Sequence, residues 1–308
     1  MPSSQVFVCG ATGTQGGAVA RSLLAKNVKV HALARDPTSD KAKALEALGV
    51  KLWHGDYDNK EAIEAAIGGC DAIFINLMPD LQDLTRELVW AKNIMAAGKA
   101  AGAKHAIYSS GFGVDQVQEF KLLDQQSIVA TVLRSKQSIE REVRDAGYEH
   151  WTILRPGNFM ANFLQPLVRM YGGLVDKGVW TTALTPETLL PMVDTKTVGL
   201  FGATAILEPE RFSGKEISYA DELMRVDTLL EELSIATGRD LKAVYLTDEE
   251  IEEQKKTNIF LHGQLAMRDM AQFVDIDEVK SWGVPLGTVR EFMVREKKRV
   301  DETYNTSA

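Results

Sequence analysis

An apolar run, Val6-Phe7-Val8-Cys9, stops at Gly10, and glycines recur three and six residues later, at Gly13 and Gly16, as an Ala/Val/Leu-rich helical pattern begins. No other stretch restricts the fold as much. It takes a buried parallel strand into a helix within a few residues. Gly10 permits the tight turn, Gly13 lets the backbone approach a pyrophosphate, and Gly16 lets the helix lie close to the strand. The first N–H groups of such a helix point at a phosphate. The segment therefore predicts a bound dinucleotide on Gly10, Thr12, Gly13, Thr14, Gln15 and Gly16.

The first half of the chain continues in the same rhythm. Strands are expected at 6–9, 28–34, 50–53, 72–77, 106–110 and 151–154. Helices are expected between them at 15–26, 39–48, 60–67, 81–101 and 135–146, several closed by glycine. Such alternation predicts an α/β fold, a Rossmann-type doubly wound parallel sheet covered on both faces. After Pro156-Gly157 the rhythm breaks. Helices read at 158–171, 195–207, 223–237, 248–258 and 288–304, with short strands at 179–182, 217–219 and 242–246. The expected division is a cofactor domain over residues 1–157, with later contributions from about 194–220, and a smaller mixed α/β C-terminal substrate lobe from 158–193 and 221–308.

Composition excludes some partners. Of 308 residues, 45% are hydrophobic and 25% charged, and the net charge of −8 speaks against a nucleic-acid phosphate backbone as partner. No apolar run is long enough to span a bilayer, and Met1-Pro2-Ser3-Ser4 leads straight into the first strand, so neither a membrane nor a signal peptide is expected. Two cysteines, Cys9 and Cys70, form neither a disulfide framework nor a metal-ligand pattern. Buried free thiols and a cytoplasmic location are the expectation.

The end of strand two sets cofactor choice. An acidic residue there would bond a ribose 2′-hydroxyl, whereas an arginine would pair with a 2′-phosphate. Arg35 stands at that point with Lys41 nearby, which favours NADP(H) over NAD(H). Asp36, directly before Pro37, reads as a turn residue. Asn76, Leu77 and Met78 follow strand four, where ligands of open parallel sheets gather.

The segments GATGTQGG, ALARDP, HGDYDN, IYSSG, SKQSIEREV and ILRPGNFMANF, covering about the first 165 residues, and LPMVDTKTVG downstream, resemble the NmrA-like branch of the atypical short-chain dehydrogenase/reductases. The resemblance extends to the isoflavone and phenylcoumaran benzylic ether reductases. It implies that Asp56 bonds the adenine edge with Tyr57 packed near the ring. It also implies that the loop Pro156-Gly157-Asn158-Phe159 lies beside the nicotinamide, with Phe159 against the ring.

Most short-chain reductases place a tyrosine four residues before a lysine on one helix. Here the lysine is Lys136, and the tyrosine position holds Val132, which has no proton to give. Two readings follow. In the first, the chain is an NADPH-dependent reductase of a small carbonyl, imine or conjugated alkene. Lys136 then holds the ribose and acts as acid or relay, and Ser109 and Ser110 orient the substrate. In the second, it is a non-catalytic NADP(H)-binding regulator that docks to a partner protein. Tyr108 is expected to face the core if Ser109 faces the ligand. Phe163, Trp180, Phe260 and His262 are further candidates to line a pocket.

Overall fold

The computed structural model describes residues 4–305. In chain order these form β1 (Gln5–Val8), α1 (Thr14–Leu24), β2 (Lys29–Ala34), α2 (Asp40–Ala47), β3 (Lys51–His54), α3 (Lys60–Ile67), β4 (Ala72–Ile75), α4 (Arg86–Ala100), β5 (His105–Ser109), α5 (Ile128–Asp145) and β6 (His150–Pro156). Then come β7 (Asn158–Phe159), α6 (Leu174–Lys177), β8 (Val179–Thr182), β9 (Leu189–Val193), α7 (Thr195–Leu207), α8 (Pro209–Phe212), β10 (Lys215–Tyr219), β11 (Glu222–Arg225), α9 (Val226–Thr237) and β12 (Lys242–Tyr245). Helices α10 (Asp248–Gln254), α11 (Phe260–Met267), α12 (Ile276–Ser281), α13 (Val289–Arg295) and α14 (Lys297–Tyr304) follow. Two compact units result. One comprises residues up to 115 with 132–155 and 195–217; the other comprises 116–131, 156–194 and the chain from 218 onward. Among the described residues, no helix is long and apolar enough to cross a membrane.

The first unit is built on a seven-stranded sheet in the order β10-β6-β5-β4-β1-β2-β3. Strands β1 to β6 pair in parallel. Their order reverses between β1 and β4, which makes the carboxyl ends of those two strands the switch point where open α/β sheets bind ligands. Both strands carry unbroken buried apolar residues, Val6-Phe7-Val8 and Ala72-Ile73-Phe74-Ile75, as strands covered on both faces require. Helix α7 lies close against α1. A Cβ on Gly199 would come within 2.6 Å of the Ala18 carbonyl oxygen, and one on Gly202 within 2.7 Å of Val19.

A buried ionic network joins β6 to α5 within this unit. Arg155, 2% exposed, donates to both oxygens of Glu140 at 2.8 and 2.7 Å and also to Glu216. Arg144 grips Glu216 at 2.6 and 2.8 Å. The Arg144 guanidinium, helped by Arg155 and opposed by burial, holds the Glu216 carboxyl below the usual range. A carboxyl depressed in the folded state stabilises the fold above its unfolded value, and that stability is lost as pH falls through the folded value. Glu216→Gln is therefore expected to lower the melting temperature at neutral pH. The gap to the parent protein should close on acidification from about pH 4.5, the carboxylate range. A gap of constant size across a melting series from pH 7 to pH 3 would show that the charge is irrelevant.

The second unit contains a three-stranded sheet, β11-β9-β7, and the pair β12–β8. Its core includes a ring cluster in which Phe163 stacks on Tyr171 at 4.2 Å and Trp180 meets Tyr171 edge-on at 4.9 Å. Arg295 on α13 clasps Asp194 with two bonds of 2.7 Å. The Asp221 carboxylate accepts from the Asp194 and Gly287 amides.

Several elements depart from the sequence reading. Instead of a helix over 158–171 there are strand β7 and two short 3₁₀ turns, with Pro166 between them, because a proline lacks the donor a helix needs. Strand β9 was not anticipated, since it contains Pro191. The proline is accommodated because β7 pairs only with Met192 and Val193 beyond it. The helix expected from 223 begins at Val226, its first residues forming β11 against β9. Helix α4 starts at Arg86 rather than near 81, because the Asp80 and Asp83 side chains hold turns by accepting from the Gln82 and Thr85 amides. Helix α5 starts at Ile128, seven residues early, capped by the Ser127 hydroxyl, which accepts from Ala130 at 3.2 Å.

Candidate functional site

The turn after β1 has the geometry that its glycines suggest. Gly10 sits at φ +61°, in the left-handed region. A Cβ on Gly16 would lie 2.2 Å from the Cys9 carbonyl oxygen and 2.5 Å from that of Gly10, so only glycine fits. Gly13 is the N-cap of α1 and supplies no side chain to cap it, and the first turn of the helix contains no acidic residue. By contrast, α2 and α3 are capped by Ser39 and Asn59. The Gly17 amide makes a helical bond back to the Gly13 carbonyl oxygen at 3.1 Å, so the amides of Thr14, Gln15 and Gly16 precede the helical ladder and are available to an anion. A cradle without Cβ atoms, ending in uncapped amides, fits a pyrophosphate.

Neighbouring strands bring further residues to this turn. The position a Gly10 Cβ would occupy is 3.2 Å from the Asn76 side-chain Nδ2 and 3.4 Å from its carbonyl oxygen, so β1 and β4 converge here as the switch point requires. The Ser109 hydroxyl, at the end of β5, donates to Gln15 Oε1 at 2.7 Å. Gly10 donates its amide to the Tyr57 hydroxyl at 2.7 Å, and the Gly13 amide bonds the Gly10 carbonyl oxygen at 2.8 Å. Tyr57 thus braces the glycine turn from below. Burial, with the adjoining Cys9 thiol, raises its phenol well above the ordinary value, while the Arg35 charge acts in the opposite direction. Cys9 itself is pushed up to about 12 by burial; both cysteines are free and buried, as expected.

Arg35 and Lys41 are exposed. The Asp36 carboxylate is spent locally, accepting from the Thr38 amide at 2.8 Å and its hydroxyl at 2.6 Å, and these bonds hold it below the usual carboxyl range. It is a turn residue. Asp56 is likewise engaged by the Asp58 and Asn59 amides, at 3.0 and 3.2 Å. Leu77 is buried and Met78 is 77% exposed, in the loop that follows β4.

Lys136, on α5, extends to the same end of the sheet. Its Nζ bonds Glu87 Oε1 at 2.6 Å and approaches the Leu77 carbonyl oxygen at 3.4 Å. Val132 lies one turn earlier on the same helix. Tyr108 is fully buried, and desolvation, then the Glu87 and Glu140 charges, raise its phenol well above the ordinary value. It faces the core, and the Ser110 hydroxyl beside it is buried without a protein hydrogen-bond partner among the described residues. Sequence reading missed Glu87. Its one signal is an acidic side chain in the first turn of an otherwise ordinary helix.

In the second unit, Gly157 packs where a Cβ would come within 2.3 Å of the Pro191 carbonyl oxygen, and its amide bonds Tyr219 at 2.9 Å. Pro156 ends β6, while Asn158 and Phe159 form β7, with Asn158 Nδ2 3.6 Å from the Met192 sulfur. Two of the expected pocket-lining side chains are core instead. Phe163 and Trp180 are fully buried in the ring cluster, because large rings dominate the interior of so small a sheet. Phe260 is 47% exposed.

The model of the NmrA-like family matches residues 2–293. The chain is 29% identical over 258 residues to an NmrA-like family domain-containing oxidoreductase, malD, of Malbranchea aurantiaca, covering 78% of this chain and 75% of that protein. It is 28% identical to an NAD(P)H azoreductase of Xenophilus azovorans, covering 80% and 79%. Among solved structures, an NADPH-dependent quinone oxidoreductase of Escherichia coli complexed with NADPH superposes with a TM-score of 0.74 at 21% identity, covering 94% of this chain and 99% of that one.

Proposed function

This chain belongs to the NmrA-like family, and from that premise we propose that it is an NADPH-dependent reductase of a small organic carbonyl, imine or conjugated alkene. The observation that carries the reading is the glycine turn after β1, beside the switch point of the sheet, which leads into α1 amides that no side chain caps. Relatives named as oxidoreductases and as an NAD(P)H azoreductase support it.

In this reading the amides of Thr14, Gln15 and Gly16 hold the pyrophosphate, and Arg35 with Lys41 meets the 2′-phosphate. Asn76 and the loop from Leu77 to Met78 flank the ribose, and Lys136 donates a hydrogen bond to it. Pro156, Gly157, Asn158 and Phe159 are proposed beside the nicotinamide and Asp56 toward the adenine. A bound NADPH supplies the hydride. Lys136, as an ammonium, is the proposed source of the proton that balances it, with Ser109 and Ser110 orienting the substrate.

The test is to measure affinity for both dinucleotides and then follow NADPH oxidation with a panel of aldehydes, quinones, imines and azo compounds. Arg35→Glu is expected to weaken NADPH roughly 10- to 100-fold, the worth of a charge-assisted bond, and NADH by less than about three-fold. Equal losses would remove the 2′-phosphate argument. Val132, in place of the usual tyrosine, favours a second reading, an NADP(H)-binding regulator that acts through a partner protein. NADPH binding without turnover of any panel member would select it.

A further inference from the structure

Glu87, like Glu140, is a fully buried acid of the first unit that the reading above leaves unused. Its side chain is 0% exposed and that of Lys136 13%. Burying a carboxylate is costly unless it is paired, so the 2.6 Å contact with Lys136 Nζ is the reason it is tolerated there. Its place in the first turn of α4 favours the anion further, since the helix N-terminus is its positive end. The lysine is equally constrained. An ammonium has three donors. One goes to Glu87 Oε1 and a second lies 3.4 Å from the Leu77 carbonyl oxygen, so both known partners come from the chain around β4 and its following helix. The third has no protein partner among the described residues. With two donors fixed, the tetrahedral ammonium can rotate little, and the direction of the third is set.

We propose that Glu87 is a positioning residue that fixes the Lys136 ammonium in place and aims its remaining N–H at the bound dinucleotide and substrate. This rests on the dinucleotide reading above. Glu87 touches neither ligand; it acts through Lys136. The second carboxylate oxygen of Glu87, the Tyr108 hydroxyl and the Ser110 hydroxyl are all buried without protein hydrogen-bond partners among the described residues, so the pair lies in a buried setting where its charge is little screened.

The test is a double-mutant cycle. Glu87→Gln, Lys136→Met and the double variant are compared for NADPH affinity and, with an accepted substrate, for kcat against KM. Glu87→Gln is expected to weaken NADPH about 5- to 10-fold in the parent and less than about two-fold once Lys136 is Met, because contacting residues are energetically coupled. Its kcat is expected to fall with the KM of the organic substrate unchanged. Separately, Lys136 labelling by an amine-directed reagent, mapped by peptide mass spectrometry, should be about five-fold faster in Glu87→Gln, where the amine is released from its charge-assisted bond, with other lysines unchanged as the control for folding. Unchanged affinity, an equal loss in both backgrounds, or unchanged labelling overturns the proposal. If the parent protein binds no NADPH, the dinucleotide reading fails instead, and the labelling still decides whether Glu87 holds Lys136.

Discussion

Gly16→Ala abolishes dinucleotide binding at working concentrations while leaving a recognisably folded protein: that is the expected result, and the largest effect of any single methyl group here. The added Cβ has nowhere to go. It would lie 2.2 Å from the Cys9 carbonyl oxygen and 2.5 Å from that of Gly10, and both are backbone atoms that cannot rotate away. Either α1 tilts off the sheet or the glycine turn opens. Each response moves the Thr14, Gln15 and Gly16 amides by something near an ångström, and misplacement on that scale costs roughly 100-fold. Overpacking of this kind also costs about 1–3 kcal/mol of stability. Calorimetry with NADPH, beside a thermal melt, separates the two effects. An intact affinity would mean that the turn is not the anion cradle. Gly17→Ala is a milder neighbour, 2.8 Å from the Ala11 carbonyl oxygen, and should fall between the parent and Gly16→Ala.

The second large effect is expected at Lys136. Lys136→Met keeps the length and apolar stem of the side chain and removes every donor. If this lysine supplies the proton, kcat should fall roughly 100- to 1,000-fold, the ordinary contribution of general acid catalysis. The melting temperature should fall as well, because Glu87 is left as an uncompensated buried charge, a loss of about 3–5 kcal/mol for a fully buried pair. That stability penalty has its own control. In the Glu87→Gln, Lys136→Met double variant both charges are gone, so stability should recover while kcat stays low. A single variant with unimpaired kcat would sink the catalytic role of this lysine. Recovery of both quantities in the double variant would mean that the lysine matters only because of the carboxylate.

Much of the candidate site was legible because the relevant signals are local. The run from Val6 to Gly16 encodes strand, turn and helix in eleven successive residues, and each glycine answers to a short-range steric demand. Asp36 before Pro37 and the alternation along β5 that turns Tyr108 to the core are of the same kind. Other parts were hidden because local pattern and tertiary pairing disagree. Pro191 disguises β9, whose two neighbours come from distant segments, β7 and β11. The apolar residues at 158–171 have a helical spacing that Pro166 interrupts, and at Asn158 and Phe159 pairing with β9 takes precedence. Trp180 and Phe163 look like pocket rings in sequence, but the packing of the second unit needs them inside.

The sequence by itself determined the order of the elements in the first half, the doubly wound parallel sheet, the place of the glycine turn, the basic residue after β2 and the lack of a tyrosine one turn before Lys136. All of these are set by residues within a turn or a strand of one another. Only the tertiary structure decided that Tyr57 braces Gly10, that Ser109 bonds Gln15, and that a buried carboxylate from α4 holds Lys136. Those partners stand 47, 94 and 49 residues apart. Periodicity reveals which face of an element is inward, but which side chain waits there depends on the strand order, and that is fixed only when the sheet closes its core.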